Sequence, residues 1–477
     1  MESKLIIERN SHGHLATSVP DVDVPAKSLE DLIPAKFLRK EQPRLPEVSE
    51  PELVRHYIGL SAKNHHVDKD LYPLGSCTMK YNPKINDWTA GSFSEIHPYQ
   101  PQAVSQGVLQ IYFELEQQLC AITGMDAFTL QPAAGSQGEL VGVLLMKKYH
   151  AIRGNDKDTI LIPDAAHGTN PASVAMAGYK VVEVKSNELG LVDMEDFESK
   201  INESVAGFML TNPNTLGLFE ENIEKIADLI HGVDGLMYMD GANMNAMLGI
   251  ARPADLGFDI THLNLHKTFS TPHGGGGPGS GPIGVVDKLV EYLPRPRVQQ
   301  VDDKFELNYD IPQSIGRVHG YYGNFGVLLR AWTYIRMLGA EGLSEISKVA
   351  ITNANYLMHK LKDVFELAYD RTCMHEFVLS AQKQKDQGVN ALQIAKRMLD
   401  FGFHSPTMYF PLVVKEALMI EPTESETRET LDRFIDVMKQ IAEEVESDPE
   451  LLNTAPHSTP VGRVDETYAN RNLNVRW

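Results

Sequence analysis

Cysteine is scarce in this sequence. Three cysteines occur in 477 residues, at Cys77, Cys120 and Cys373, and they lie far apart along the chain. An odd number of cysteines at such distances fits neither a disulfide framework nor the close spacing of zinc ligands. We therefore predict three reduced thiols.

Positive charge and long apolar runs are also in short supply. Lys and Arg total 44 against 64 Asp and Glu, which gives a formal net charge of −20. The sequence lacks the basic stripe of proteins that bind a nucleic-acid backbone, so no nucleic-acid partner is expected. No apolar run approaches the length of a membrane span, and residues 1–9 hold only a short apolar run between charges. The sequence therefore predicts a cytoplasmic protein without a membrane partner.

Proline content and hydrophobic periodicity divide the chain into three predicted parts. Residues 1–95 are rich in proline and charge, as expected for an arm that wraps a partner. Residues 96–340 alternate helices with short apolar strands, which is typical of an α/β protein with a mainly parallel, doubly wound sheet. Residues 341–477 predict a smaller C-terminal α+β domain, with a closing helix at 425–446.

The individual elements of these parts can be placed from the same patterns. A long amphipathic helix is expected to end near Gly124. Strands of the large domain are predicted near Phe128, Ile160, Val182, Met209, Tyr238, Leu263 and Val285. In the smaller domain, short strands are predicted at Val378 and Leu379 and at Tyr409 and Phe410.

One amine, Lys267, stands just before a stretch with almost no side chains. Residues 274–282 read Gly-Gly-Gly-Gly-Pro-Gly-Ser-Gly-Pro, so the backbone can approach a flat anionic ligand and turn its N–H groups toward a phosphate. A lysine that forms a Schiff base with pyridoxal phosphate needs such surroundings. Taken alone, the pattern is more typical of a flexible surface loop with a solvated lysine.

An acidic residue upstream favours the cofactor interpretation. Residues 235–240 read as a short apolar strand that ends in Asp240. Ligands of open α/β sheets bind at the carboxyl ends of strands, and pyridoxal phosphate needs a carboxylate against its pyridine nitrogen. The 27 positions from Asp240 to Lys267 leave room for a loop and one more strand.

Two further strand ends carry side chains suited to the same ligand. His167 follows an apolar strand and can lie flat on a cofactor ring, and Thr211 follows another. A histidine after a strand is more often a structural residue whose hydrogen bonds are satisfied. His167 is therefore predicted as a site residue only because the neighbouring strand ends carry suitable side chains as well.

A turn of small residues offers a place for the phosphate. Ala134, Gly135 and Ser136 lie in a turn that opens a predicted helix, so backbone N–H groups and the helix dipole would meet an anion. Such a turn is more often only a helix cap. Together with the lysine and the aspartate, it predicts a pyridoxal-phosphate site.

Histidine pairs could suggest a metal site. His262 and His266 are spaced i, i+4, and His65 adjoins His66. The leucines around the first pair alternate as in a strand, which places the two histidines on one face but about 13 Å apart. No metal is predicted.

Several segments together resemble one enzyme family. They are residues 60–64, 72–83, 97–101, 167–171, 211–217, 255–285, 314–320 and 420–424. These segments make most of the chain similar to glycine dehydrogenase (decarboxylating), the P-protein of the glycine cleavage system. The chain has the length of one half of the family's long form and resembles the lysine-bearing subunit 2 of its split form. At the phosphate-side turn, Ser136 and Gln137 stand where the family often has Ala-His.

The resemblance implies a fold, a reaction and partners. The fold would be the pyridoxal-phosphate fold type I, similar to aspartate aminotransferase. The enzyme would decarboxylate glycine and transfer the aminomethyl group to the lipoyl arm of a carrier, the H-protein. Its partner would be a separate subunit 1, in a two-plus-two heterotetramer. Residues 72–80, with Cys77 as a small buried residue, and residues 317–322 are candidates for the wall of the channel for that arm.

The resemblance also implies roles for residues of the site. Lys267 would bond the cofactor, Asp240 would keep its pyridine nitrogen protonated, and His167 would stack on its ring, so these three are the predicted catalytic residues. The other predicted cofactor contacts are Ala134, Gly135, Ser136, Thr211 and His266.

Two other functions stay open on the sequence. The same fold could carry an aminotransferase or another amino-acid decarboxylase, because fold does not determine reaction. The chain could also be a non-catalytic subunit that binds a partner. The presence of both Lys267 and Asp240 weighs against that alternative.

Overall fold

The computed structural model describes residues 4–9, 13–14, 18, 20–41, 45–272 and 279–474. The glycine run at 274–277, which follows Lys267 in the sequence, lies outside the described residues. The chain divides into two compact units, Met1–His65 and His66–Trp477. The predicted domain boundaries at 95 and 340 stay predictions.

The first unit consists of extended segments and short helices. Its α-helices are α1 (Leu29–Leu32) and α2 (Glu50–Ser61). Helix α2 begins after Ser49, whose backbone N–H and hydroxyl both donate to the Glu52 carboxylate, at 2.8 and 2.7 Å. This is a capping box, which fixes where the helix starts.

Seven strands form one sheet within the described part of the second unit. They are β1 (Ala127–Thr129), β2 (Thr159–Pro163), β3 (Lys180–Val184), β4 (Val205–Thr211), β5 (Leu236–Gly241), β6 (Ile260–Leu263) and β7 (Ile283–Val285). Their order across the sheet is β1-β7-β6-β5-β4-β2-β3. Strands β6, β5, β4, β2 and β3 run parallel, whereas β7 runs antiparallel to β1 and β6. The mainly parallel sheet is confirmed, with every predicted strand in place.

The sheet is buried on both faces. In β5, Met237 and Met239 pack into one hydrophobic core, whereas Leu236 and Tyr238 pack into another. Successive side chains of a strand point to opposite faces, so the alternation shows that helices or loops cover each side. Such a sheet positions the carboxyl ends of its parallel strands rigidly along one edge.

The helices of the second unit connect and cover these strands. They are α3 (Lys84–Gly91), α4 (Gln106–Thr123), α5 (Gly135–Arg153), α6 (Thr169–Met176), α7 (Met194–Lys200), α8 (Ile223–Gly232), α9 (Phe325–Leu361), α10 (Gln382–Asp386), α11 (Ala391–Asp400), α12 (Arg428–Ser447), α13 (Pro449–Asn453) and α14 (Glu466–Arg471). Helix α4 ends where predicted, since Gly124 has a φ of 76° that a side chain would disfavour. Among the described residues, no helix has both the length and the apolar character needed to cross a bilayer.

Smaller sheets follow the large one. Strands β8 (Arg297–Val301) and β9 (Lys304–Asn308) form an antiparallel hairpin. Strands β10 (Glu366–Leu367), β11 (Phe377–Ser380), β12 (Thr407–Met408) and β13 (Ala417–Ile420) form a sheet in the order β10-β11-β13-β12. With α12 packed against it through Leu431 and Phe434, this sheet is the smaller C-terminal domain that the sequence predicts.

The prediction for the smaller domain is wrong at one strand. The pattern predicts a strand at Tyr409 and Phe410, but β12 ends at Met408. Tyr409 has a φ of 58°, a left-handed conformation that cannot continue a strand. Strand β13 and the β8–β9 hairpin are not predicted at all.

A segment at residues 75–80, which we call the strap, links Lys267 in the turn after β6 to the residues that flank β11 and β13. Ser76 N–H donates to Glu376 at 2.7 Å, the Thr78 hydroxyl donates to Glu421 at 2.7 Å, and Lys80 Nζ donates to Glu424 at 2.7 Å. Three alternate residues of the strap thus each meet one glutamate of the smaller domain.

The Lys80 contact predicts a large effect on stability. Its side chain is 1% exposed, and the carboxyl of Glu424 that it meets is 13% exposed. Removing one member of a buried ion pair leaves a charge without its partner, so Lys80→Ala should lower the free energy of unfolding by about 3–5 kcal/mol. Urea denaturation of the variant and the wild-type chain measures this difference.

An exposed ion pair provides the control for this variant. Lys84 meets Asp68 at 2.6 Å, with side chains 59% and 43% exposed. Exposed pairs contribute little, so Lys84→Ala should cost no more than about 1 kcal/mol. Equal losses in the two variants would contradict a special role for the buried contact.

Candidate active site

The predicted site residues meet in one cavity. It has a volume of about 330 Å³ and lies at the carboxyl ends of β2, β4, β5 and β6. Its lining includes every predicted catalytic or cofactor-binding residue, namely Ala134, Gly135, Ser136, His167, Thr211, Asp240, His266 and Lys267. The parallel strands explain this convergence, because their carboxyl ends share one edge of the sheet.

Lys267 lies in the turn that follows β6. Its backbone N–H donates to the Asn264 carbonyl at 3.0 Å, and its Nζ donates to the Ser76 carbonyl at 2.6 Å. Ser76 has a φ of 64°, a conformation that is strained for a residue with a side chain. The strap therefore holds the Lys267 amine through the Ser76 carbonyl. The strained backbone of Ser76 is the local cost in free energy of this contact.

Asp240 lies near the end of β5 and is surrounded by donors. Asn170 Nδ2 donates to Oδ2 at 3.0 Å, and the Ala242 N–H donates to Oδ1 at 3.1 Å. His262 Nε2 lies 3.3 Å from Oδ1, and its Nδ1 lies 2.9 Å from the Tyr238 hydroxyl. Burial raises the pKa of Tyr238 well above its usual value, so this hydroxyl stays neutral beside the His262 ring.

His167 is held from the side by a threonine and a glutamate. Its Nδ1 lies 2.9 Å from Thr169 Oγ1, which donates to Glu139 Oε1 at 2.8 Å. Burial lowers the pKa of His167, which favours its neutral ring. Burial, with Asp240 nearby, raises the pKa of Glu139 to about 7.

The turn before α5 is built for close approach. A Cβ at Gly135 would lie 2.3 Å from Asn264 Oδ1, and a Cβ at Gly281 would lie 2.1 Å from the Ala134 carbonyl oxygen. Helix α5 begins at Gly135, so its first N–H groups have no partner within the helix and open toward the cavity. An anion fits this position.

Gln137, where the sequence departs from the family pattern, links two loops through its side chain. Its Oε1 accepts from the Ala133 N–H at 2.7 Å, and its Nε2 donates to the Val318 carbonyl at 2.6 Å. Ser136 lines the cavity, whereas Gln137 is not among its lining residues. The substitution therefore connects the phosphate-side turn to the loop at 317–322.

The predicted placement of His262 and His266 on one strand face is wrong. Strand β6 ends at Leu263, so His262 and His266 do not share a strand face. His262 lies with Glu139 and Asp240 in a trio whose ligand atoms are within 4.8 Å of one another, while His266 Nδ1 accepts from the Ser280 N–H at 3.4 Å. The absence of a metal stays a prediction.

Several residues of the cavity have no counterpart in the sequence prediction. They are Glu139, Thr169, Asn243, His375 and Glu376, among others. Cys77 also lines the cavity, half-buried, and burial raises the pKa of its thiol, in keeping with a small packing residue. The three cysteines are free, as predicted.

The fold is that of the pyridoxal-phosphate enzymes of fold type I. The crystal structure of an inhibitor-bound glycine decarboxylase (P-protein) of the glycine cleavage system superposes with a TM-score of 0.73 and 22% identity, covering 87% of this chain and 95% of that one. The glutamate decarboxylase of Lactobacillus brevis superposes with a TM-score of 0.67 and 13% identity, covering 87% and 97%. Identities this low establish a shared fold alone.

Sequence comparison identifies the family within this fold. Residues 22–306 match the family described as glycine cleavage system P-protein, and residues 346–457 match the C-terminal domain of glycine dehydrogenase. A Chloroherpeton thalassium protein named "Probable glycine dehydrogenase (decarboxylating) subunit 2" is 56% identical over 483 residues, covering 100% of this chain and 98% of that protein. The chain therefore belongs to the P-protein family, as its motifs predict. The name subunit 2 implies a separate subunit 1.

Proposed function

We propose that this chain is subunit 2 of a two-subunit glycine decarboxylase. With pyridoxal phosphate as its cofactor, it releases carbon dioxide from glycine and passes the aminomethyl group to the lipoyl arm of the H-protein. One observation carries the proposal. In a chain of this family, Lys267, Asp240 and His167 line a single cavity at the carboxyl ends of neighbouring strands.

The residues of the cavity fit the cofactor at three points. The N-terminus of α5 suits the phosphate, Asp240 suits the pyridine nitrogen, and the Lys267 amine suits the aldehyde. Thr211 Oγ1 and Asn264 Oδ1 are buried without a hydrogen-bond partner among the described residues, which leaves both for ring substituents. When bound, pyridoxal phosphate supplies the electron sink for the electron pair left as carbon dioxide departs.

Each side chain has a separate task in this mechanism. Asp240, held by Asn170 and Ala242, keeps a negative charge against the ring nitrogen. His167 restricts the tilt of the ring. The Ser76 carbonyl holds Lys267 Nζ in place, and the amine must lose its proton before it can act as a nucleophile.

The partners and the compartment belong to the same proposal. Subunit 1 completes a two-plus-two heterotetramer, and the lipoylated H-protein brings its arm past residues 72–80 and 317–322. Two contacts support these loops as walls: Ser76 and Cys77 line the cavity, and the Val318 carbonyl accepts from Gln137. The reaction takes place in the cytoplasm.

An exchange assay tests the proposal. The chain is combined with subunit 1, lipoylated H-protein, pyridoxal phosphate and glycine, and the exchange of labelled carbon dioxide with the glycine carboxyl is measured. We expect exchange that requires every component and that fails with H-protein lacking its lipoyl group. Carbon dioxide release from a different amino acid, or amino transfer from glycine to a keto acid, would contradict the proposal.

A further inference from the structure

One wall of the cavity comes from the smaller domain and has no task in the mechanism above. His375 and Glu376 directly precede β11 and line the cavity. Glu421 follows β13, which pairs with β11 so that Phe377 stands opposite Ile420. The ligand atoms of these three side chains lie within 4.8 Å of one another. The second sheet thus delivers an imidazole and a carboxyl group to the cavity, with the Glu421 carboxyl close to both.

His375 is buried without a partner. It is 1% exposed, and neither ring nitrogen has a hydrogen-bond partner among the described residues. Glu376 Oε1 lies 3.7 Å from Nε2, which is too far for a hydrogen bond. Burial lowers the pKa of His375 to about 3, so the ring is neutral at physiological pH and has one N–H to donate. Leaving it unpaired costs free energy, which a ligand with an acceptor oxygen would recover.

Glu376 is the second unassigned donor. Its Oε2 accepts from the Ser76 N–H at 2.7 Å, which leaves Oε1 toward His375. Burial, and then the neighbouring Glu421, raise the pKa of Glu376 well above its usual value. The oxygens of Glu421 already accept from Thr78 and Asn243. Burial also raises the pKa of Glu421 to about 7, but two adjacent buried carboxyls cannot both ionise at little cost, and the hydrogen bonds that Glu421 accepts favour its ionised form, so they favour the proton on Glu376.

We propose that His375 and Glu376 form the subsite for the carboxylate of the amino-acid substrate. This inference rests on the proposed function and extends it to the group that leaves as carbon dioxide. Both side chains can donate a hydrogen bond while carrying no charge. They line the same cavity as Lys267.

The absence of a positive charge on His375 and Glu376 suits decarboxylation. Among the described residues that line the cavity, Lys267 is the only lysine or arginine. An arginine would hold the carboxylate by a strong bidentate pair, and that stabilisation would be lost as the carboxylate becomes neutral carbon dioxide. Only interactions that are stronger in the transition state than in the bound substrate speed the reaction. Neutral donors orient the carboxylate while stabilising its charge less.

Two ligands that differ only in the carboxylate test the subsite. The complex of this chain with subunit 1 and pyridoxal phosphate is titrated with glycine and with methylamine, and dissociation constants are read from the visible spectrum. His375→Phe keeps a ring and removes both nitrogens. It should raise the glycine constant about 10- to 100-fold, the loss expected for a hydrogen bond to a charged group, and leave the methylamine constant within about twofold.

A second variant tests whether residue 376 acts as a neutral hydrogen-bond donor or as a charged carboxylate. Glu376→Gln keeps the size, one acceptor for the Ser76 N–H and one uncharged donor. It should leave the glycine constant within about threefold of the wild-type value, since an amide donor replaces a carboxylic acid donor. A tenfold or larger change with the amide would mean that residue 376 works as a carboxylate and would overturn its assignment.

The outcomes keep this inference distinct from the proposed function. Equal weakening of glycine and methylamine in His375→Phe would give the histidine a purely structural role and overturn the subsite. Unchanged glycine binding would overturn it too. A wild-type complex that responds to methylamine but not to glycine would instead reject the proposed function, and the subsite with it.

Discussion

Replacement of Lys267 by alanine should abolish glycine decarboxylation by the assembled enzyme, with a loss in rate on the order of 10⁴-fold or more. The variant removes the amine that we propose bonds the cofactor, together with its 2.6 Å hydrogen bond to the Ser76 carbonyl. The side chain is half-buried in the wall of the cavity, so its truncation spares the hydrophobic cores. Borohydride reduction and peptide mapping should find a cofactor label on Lys267 in the wild-type chain and none in the variant.

Lys147 is a matched control for this experiment. Its Nζ donates to the Ala177 carbonyl at 2.6 Å, the same kind of bond that Lys267 makes, but it does not line the cavity. Lys147→Ala should therefore keep both the label and the rate. A label that moves to another lysine in Lys267→Ala, with the rate preserved, would remove Lys267 from the mechanism.

The large sheet could be predicted from the sequence because each strand carries its own signal. Strands such as β4 and β5 are buried on both faces, so they stand out as short apolar runs between turn residues. Strand β13 is also buried, but its four residues, Ala-Leu-Met-Ile, cannot be told from a helical segment by periodicity. Its identity depends on pairing with β11, which local pattern does not reveal.

The same difference between a local sequence signal and a long-range contact explains which site residues could be predicted and which could not. Asp240, His167 and Lys267 follow strands of one parallel sheet, and the general rule for such sheets brings them to one edge. Glu376 is held at the cavity by a hydrogen bond from the Ser76 N–H, a residue 300 positions away in the sequence. No spacing in the sequence reports such a contact, because it depends on how the smaller sheet and the strap pack.

Gln137 shows how the structure changes the meaning of a substitution. Judged by motif, a change from the family's Ala-His pair at Ser136 and Gln137 concerns the phosphate contacts. In the structure, the Gln137 side chain joins Ala133 to Val318, and the N–H groups at the start of α5 belong to the backbone. The side chain at this position therefore supports the turn, while the N–H groups proposed to meet the phosphate are those of the backbone.

Asp240→Asn should lower the decarboxylation rate by on the order of 10²- to 10³-fold, the loss typical when one preorganised electrostatic partner of the transition state is removed. The amide has nearly the same shape, but it lacks the negative charge that keeps the pyridine nitrogen protonated. Lys267 is untouched, so borohydride labelling should be retained. If the label is retained while the exchange rate falls, the variant has weakened the electron sink and has not lost the cofactor.

Asp259 provides a control with the same burial, because both aspartates are 4% exposed. It precedes β6 at the opposite end of the sheet, where it accepts from His231 at 2.8 Å and meets Lys288 Nζ at 2.6 Å. Asp259→Asn should cost about 1–3 kcal/mol of stability by weakening these bonds, with little change in rate. If both variants lost stability and rate alike, the fall in Asp240→Asn would reflect the fold. A loss of rate confined to Asp240→Asn would locate the electrostatic task at the carboxyl end of β5.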